Sequence, residues 1–139
     1  MTIVTAVEDT ERDRRVIAEG AALAGAFGDE LHVIHVLDRD DLEEGAAADE
    51  PDSRPTLEVA RDIAADIASL ETKEFTPVGR IGSPAGEIQN YTEETKARYL
   101  VVGGRKRSPI GKAVFGSITQ SLLLNVESTV VTVRTESTS

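Results

Sequence analysis

The chain has 139 residues, no cysteine, and 25 Asp and Glu against 15 Lys and Arg, a formal charge of −10. That length fits a single domain, residues 1–139, with one hydrophobic core. The missing cysteines exclude disulfides, thiolate metal sites and cysteine nucleophiles, and the acidic surface repels nucleic acid and anionic lipid outside any locally basic patch.

No apolar run reaches bilayer-spanning length, and the opening MTIVTAVEDTERDRR has no basic start followed by an apolar stretch. The expectation is a soluble cytoplasmic protein. Aromatics are scarce at 4%. An acidic, alanine-rich, aromatic-poor chain suits a cytosol of very high salt, so the composition reads as halophilic.

Residues 2–7 (TIVTAV) are β-branched and short, and predict a buried strand. After Thr10, apolar or small residues at Val16, Gly20, Leu23, Ala24 and Phe27 follow helical spacing, and Gly28 stands where a helix closes. Residues 31–37 (LHVIHVL) are nearly all apolar, as in a strand of a parallel sheet covered on both faces. His32 and His35 fall on opposite faces of that strand, so packed or hydrogen-bonded histidines are expected and no shared metal site.

Residues 38–56 carry eight carboxylates and two prolines without periodicity, the composition of an acidic, flexible loop. From Leu57 to Leu70, Val59, Ile63, Ile67 and Leu70 recur at helical steps. Residues 75–81 predict a weaker strand, and Pro77 within it points to a sheet edge. Ser83-Pro84 reads as an N-cap followed by Pro at the first helical position, opening a helix to about Lys96. Residues 99–102 predict a fourth strand ending in Gly103-Gly104. A loop then leads to Phe115, a helix runs from Ser117 to about Asn125, and Thr129–Arg134 is the last strand. Strand alternates with helix, so the expected fold class is α/β: a three-layer sandwich around a five-stranded parallel sheet with right-handed crossovers.

Residues 101–119 (VVGGRKRSPIGKAVFGSIT) hold the most chemistry. Arg105, Lys106, Arg107 and Lys112 make one locally positive spot on an acidic chain. Glycines at 103, 104, 111 and 116 allow close backbone approach and positive φ. Ser117 opens a helix whose free N–H groups and dipole favour an anion. Two readings stand side by side. One is a phosphate cradle. The other is a structural strand exit, with Ser117 and Gln120 forming a capping box and the basic run offsetting nearby carboxylates.

Familiar nucleotide loops do not fit. Gly111-Lys112 is followed by Ala113 and the earlier Walker A glycine position holds Lys106, while no GxGxxG is present. The Glu8-Asp9 pair suggests a phospho-receiver pocket, but strand three ends in Arg80-Ile81-Gly82 without the acceptor Asp that such a site needs. No base-and-nucleophile pair stands out, so catalytic residues are expected to be none and hydrolysis of any bound nucleotide at most slow. In the strand order 3-2-1-4-5 the winding reverses between strands one and four, and ligands of open parallel sheets bind beyond the strand ends at such a point. The Val7-Glu8-Asp9 turn and the glycine-basic loop then share one crevice.

Here the chain resembles the universal stress protein family. That family's G-x-x-G, nine residues, then G-[ST] is matched by Gly103, the nine residues 107–115, and Gly116-Ser117. IVTAVEDTE is similar to the family's opening strand and turn, LHVIHV to its second strand, VGRIGSPAGEI to its third strand and following helix start, and TVVTVR to its final strand. Lys106 stands at the second motif glycine, and Glu8 where the family has Asp. The resemblance implies a Rossmann-like fold and a cytoplasmic stress-response or regulatory protein, of a family with one branch that binds ATP and another that does not. By position it places the adenine end near Ala6, Val7, Glu8 and the backbone of Val36. Ribose and phosphates fall near Val102, Gly103, Arg105, Lys106, Gly116, Ser117, Ile118 and Thr119. It further implies ATP, with or without Mg²⁺, as the cofactor, no protein metal site, and a homodimer through Thr129–Arg134.

Overall fold

The computed structural model describes residues 1–8, 13–38, 53–107 and 113–134. Its elements in chain order are β1 (Thr2–Ala6), α1 (Arg14–Phe27), β2 (Glu30–Asp38), α2 (Ser53–Ala68), β3 (Thr76–Gly82), α3 (Pro84–Thr95), β4 (Tyr99–Arg107), β5 (Ala113–Phe115), α4 (Ser117–Asn125) and β6 (Thr129–Arg134).

The parallel sheet takes the order β3-β2-β1-β4-β6, the five-stranded order that the sequence predicts. β1 carries the reason for this layering in its side chains. Ile3 packs with Val16, Ile17, Leu31, Val33 and Val101 on the face covered by α1 and α2. Its neighbour Val4 packs with Ile34, Val78, Ile88, Tyr91 and Leu100 on the face covered by α3 and α4. A strand buried on both sides needs apolar residues at every position, which is why β1 and β2 show no polar alternation. Winding runs outward from β1 to β3 over one face, then returns to β4 and β6 over the other. The switch point therefore lies between β1 and β4.

Four expectations are corrected. The fourth strand does not end at Gly103-Gly104; it continues to Arg107 and turns back, antiparallel, as β5, so 113–115 is strand and not loop. Against β6 the register slips between Gly103 and Arg105, which makes Gly104 the bulged residue. A glycine pair read as an exit is thus a bulge inside a longer strand. Helix α1 starts at Arg14, after Asp13, and α2 starts at Ser53.

The buried stripe of α2 is also not the predicted one. Val59 and Leu70 are exposed, while Ala60, Ala64 and Ala68 are fully buried along with most of Ile67. The cause is Gly79 on β3: an added Cβ there would stand 2.4 Å from the Arg61 backbone N and 2.6 Å from the Leu57 carbonyl O. The helix rests its backbone on this glycine, so small residues must face the sheet.

Elsewhere the local rules hold. Pro77 lies on β3, an edge strand. Gly28 closes α1 in the left-handed region at φ 69°. Most of the 38–56 segment lies outside the described residues.

The N-terminal rim of the sheet is tied by charge. The Asp29 carboxylate, 2% exposed, meets Arg98 Nε at 2.7 Å and the Met1 ammonium at 3.2 Å. Hydrogen bonding from Arg98 holds the Asp29 carboxyl below the usual carboxylate range. A depressed carboxyl pKa stabilises the fold above the unfolded value of about 4, and that contribution is lost as pH falls through the folded value. Asp29→Asn should therefore be less stable than wild type at neutral pH, with the gap closing on acidification below pH ~4. Urea unfolding at several pH values measures this, and a gap that stays constant across the range would refute the assignment.

Candidate functional site

A cavity of about 290 Å³ opens at the C-terminal ends of β1, β2 and β4, over the switch point. β1 and its exit supply Ala6, Val7 and Glu8; β2 supplies His35 and Val36; β4 supplies Val102, Gly103 and Gly104. The opposite wall is the start of α4, from Gly116 to Thr119 with Leu122, and Pro84 and Ile88 of α3 close one side.

Of the twelve residues that the sequence singles out, ten line this cavity: Ala6, Val7, Glu8, Val36, Val102, Gly103, Gly116, Ser117, Ile118 and Thr119. The backbones of Arg105 and Lys106 lie on the β4–β5 hairpin, paired with Phe115 and Val114. Their side chains, with Gly111 and Lys112, lie outside the described residues.

The α4 start differs in detail from the expected capping box. Gly116 is the N-cap, in extended conformation at φ −66°, and Ser117 is the first helical residue, so its hydroxyl makes no cap bond. The first intrahelical bond runs from Gln120 N to Gly116 O at 2.9 Å. The N–H groups of Ser117, Ile118 and Thr119 therefore have no carbonyl within the helix and sit at the positive end of its dipole, on the cavity wall. Gly116 needs no positive φ, contrary to the sequence reading; a Cβ there would meet nothing within 4 Å.

Gly104 serves a close approach. Its Cβ would lie 2.1 Å from Thr119 Oγ1, and Thr119 donates its hydroxyl to Gly103 O at 2.9 Å. This bond fastens the first turn of α4 to the bulge of β4. Thr119 thus builds the wall, with its hydroxyl proton committed to the strand.

Asp13 and His35 are two polar cavity residues that the sequence reading did not assign to the site. Asp13 is 7% exposed and accepts a 2.7 Å hydrogen bond from Glu8 N through Oδ2. The helical reading that follows Thr10 places position 13 inside the helix, which hides its signal. His35 is 8% exposed and meets Val7 O at 3.0 Å through Nδ1. Its placement beside Val36, at the end of strand two, was the available clue. The hydrogen-bonded character of both histidines agrees with expectation: His32 lies on the other face, 2.5 Å from the Tyr91 hydroxyl. Among the described residues no group of three His, Asp or Glu is arranged to hold a metal ion.

A parallel α/β sheet whose winding reverses beneath a cavity, with glycines on one side and a helix N-terminus on the other, defines a Rossmann-like protein with a site suited to an anionic ligand. The universal stress protein family model matches residues 1–134, and the chain belongs to that family. A universal stress protein from Archaeoglobus fulgidus is 27% identical, with 95% of this chain and 97% of that chain covered and a TM-score of 0.64. A second Archaeoglobus fulgidus universal stress protein structure, in complex with dAMP, is 21% identical with a TM-score of 0.57 over 95% of this chain and 96% of that chain. The hypothetical protein MJ0577, whose structure served a structure-based assignment of biochemical function, is 16% identical with a TM-score of 0.75 over 99% of this chain and 97% of that chain. No curated protein matches the chain at a significant level.

No described helix is long and apolar enough to cross a membrane.

Proposed function

We propose that this chain is a cytoplasmic stress-response protein that binds ATP, or a related adenine nucleotide, in the crevice between β1 and β4. The observation that carries this reading is the pairing of N–H groups without an intrahelical acceptor at the α4 start with apolar lining from Ala6, Val36 and Ile88. The first suits phosphate oxygens and the second suits a flat apolar base. The dAMP complex of a structural neighbour supports the same reading. Any Mg²⁺ would arrive held by the triphosphate, because the described residues offer no ligand cluster of their own. The groups that support the reading are binding groups, so we assign binding, with ATP hydrolysis at most slow.

Gly116→Val tests the site cleanly. The added side chain meets nothing of the protein within 4 Å at its Cβ and needs no unusual φ, so the fold should tolerate it, yet it projects from a cavity-lining residue. Calorimetry in multimolar KCl with Mg²⁺ should show micromolar ATP binding by wild type and a loss of at least about a hundredfold in the variant, some 2.7 kcal/mol. Equal binding by both would move the nucleotide elsewhere.

We assign the dimer contact to β6, an edge strand whose described partner is β4 alone. A β-branched edge of this kind must be paired or covered, and Leu124, 83% exposed, stands on the preceding helix. These features also favour the alternative, a dimer that binds no nucleotide and acts through protein partners. A monomer mass by light scattering at micromolar concentration would remove both dimer assignments. Halophily rests on the charge of −10. Carboxylate repulsion is screened by salt, so the urea midpoint should rise as KCl is increased; a falling midpoint would count against that habitat.

A further inference from the structure

The backbone just past β1 is held by side chains from two other elements. Val7 N donates to Ile34 O at 2.9 Å, the last bond between β1 and β2. The next group, Val7 C=O, accepts from His35 Nδ1 at 3.0 Å. The group after that, Glu8 N–H, donates to Asp13 Oδ2 at 2.7 Å. The last two belong to one peptide plane. A carbonyl can only accept, so His35 must carry its proton on Nδ1. Both gripping residues are more than nine-tenths buried, and both line the cavity.

The grip has two consequences for a ligand. First, backbone N–H and C=O groups on β2 alternate sides along a parallel ladder, and Ile34 turns its own toward β1. Val36, two residues on, turns its pair the same way, beyond the end of β1 and at the cavity wall. The rung that would follow, from Val36 N–H to Val7 O, would have to share a carbonyl on which the imidazole occupies one of two lone pairs. Second, the polar groups of the 7–8 peptide are spent on the protein, and the plane of that peptide sets where Glu8 stands at the cavity mouth.

We infer that His35 and Asp13 are positioning residues for the ligand. By clamping the Val7–Glu8 peptide from both sides they hold the end of β1 beside Val36 and fix where Glu8 stands against the ligand. This rests on the nucleotide reading above. Such supporting hydrogen bonds act on affinity through geometry, so their loss should be felt without any lost ligand contact.

The test is ATP calorimetry on wild type, Asp13→Ala, His35→Ala and the double alanine variant, with Asp13→Asn and His35→Asn as conservative partners. Asn keeps an acceptor at position 13 and a donor near the Nδ1 position at 35. Each alanine variant should bind about tenfold more weakly or worse, and each Asn variant within about threefold of wild type. The double variant should lose little more than the worse single one, because both act through one peptide. Alanine variants that fold and bind like wild type would overturn the clamp and leave nucleotide binding standing. A folded wild type that binds no ATP would overturn both.

If the alanine variants do not fold, nitrogen-15 NMR of wild type decides. A His35 protonated on Nδ1, with a Glu8 amide that moves on ATP addition, supports the clamp. A His35 protonated on Nε2, or an unmoved Glu8 amide with ATP bound, overturns it.

Discussion

Gly79→Ala is expected to destabilise the protein by about 3 kcal/mol, at the upper end of what overpacking costs. The new Cβ would lie 2.4 Å from the Arg61 backbone N, 2.6 Å from the Leu57 carbonyl O and 2.9 Å from Ala60 Cβ. Two of those three atoms are helix backbone, so no side-chain rotation relieves the contact, and α2 must lift from β3 as a unit. Lifting it exposes Ala60, Ala64 and Ala68, all fully buried. A fall of roughly 10 °C in Tm follows from that free energy. Gly25→Ala is the matched control: its Cβ meets nothing within 4 Å, and in a helix interior alanine is favoured over glycine by about 0.8 kcal/mol. Thermal melts of both variants check the pair. A Gly79→Ala protein as stable as wild type would mean that the α2–β3 packing is wrong.

The second large effect is a coupling. Gly20 of α1 faces Thr5 of β1, and a Cβ on Gly20 would lie 2.2 Å from Thr5 Oγ1 but 3.4 Å from Thr5 Cβ. Thr5 is wholly buried, and its hydroxyl has no hydrogen-bond partner among the described residues. Gly20→Ala alone should cost about 2 kcal/mol. In a Thr5→Ala background the obstructing oxygen is gone, and the new methyl enters the space that Thr5 leaves. There Gly20→Ala should become neutral or favourable, helped by about 1 kcal/mol of helix propensity. The coupling energy in the double-mutant cycle is then about 2–3 kcal/mol. Strict additivity would show that the two residues do not touch.

The reach of the sequence follows from these contacts. Periodicity exposes what a strand repeats and a cap marks where a helix opens, so β1, β2 and β6 emerge from the apolar pattern and α3 from Ser83-Pro84, with ends within about two residues. The order of the sheet follows from alternation with helices and from the family resemblance. What the pattern hides is small residues acting by absence of volume. The alanines of α2 look weaker than Val59 and Leu70 as core candidates, yet they are the buried ones because Gly79 lets the helix backbone descend. Gly104 reads as the end of a strand when it is a bulge that admits Thr119. The lining of the candidate cavity is legible where a motif marks it, at Gly103 and from Gly116 to Thr119. Asp13 was not legible, because its part depends on a carboxylate turning back from a helix N-terminus to a peptide five residues earlier. No local spacing rule encodes that contact.

Glu8 and Lys106 both depart from the family pattern, and they stand in different positions. Glu8 lines the cavity and keeps a carboxylate at its mouth. Lys106 sits on the hairpin strand of β4, with its backbone paired to Val114, so the motif glycine is replaced within a ladder.

The proposed nucleotide would lie with its phosphates on the α4 start. An ATP titration of nitrogen-15-labelled protein in multimolar KCl, followed amide by amide, tests it most directly. The largest shifts are expected at Ser117, Ile118 and Thr119, with a second group at Val36 and Gly103. Shifts confined to β6 or to the Asp29 rim, or no shifts at saturating ATP, would contradict it.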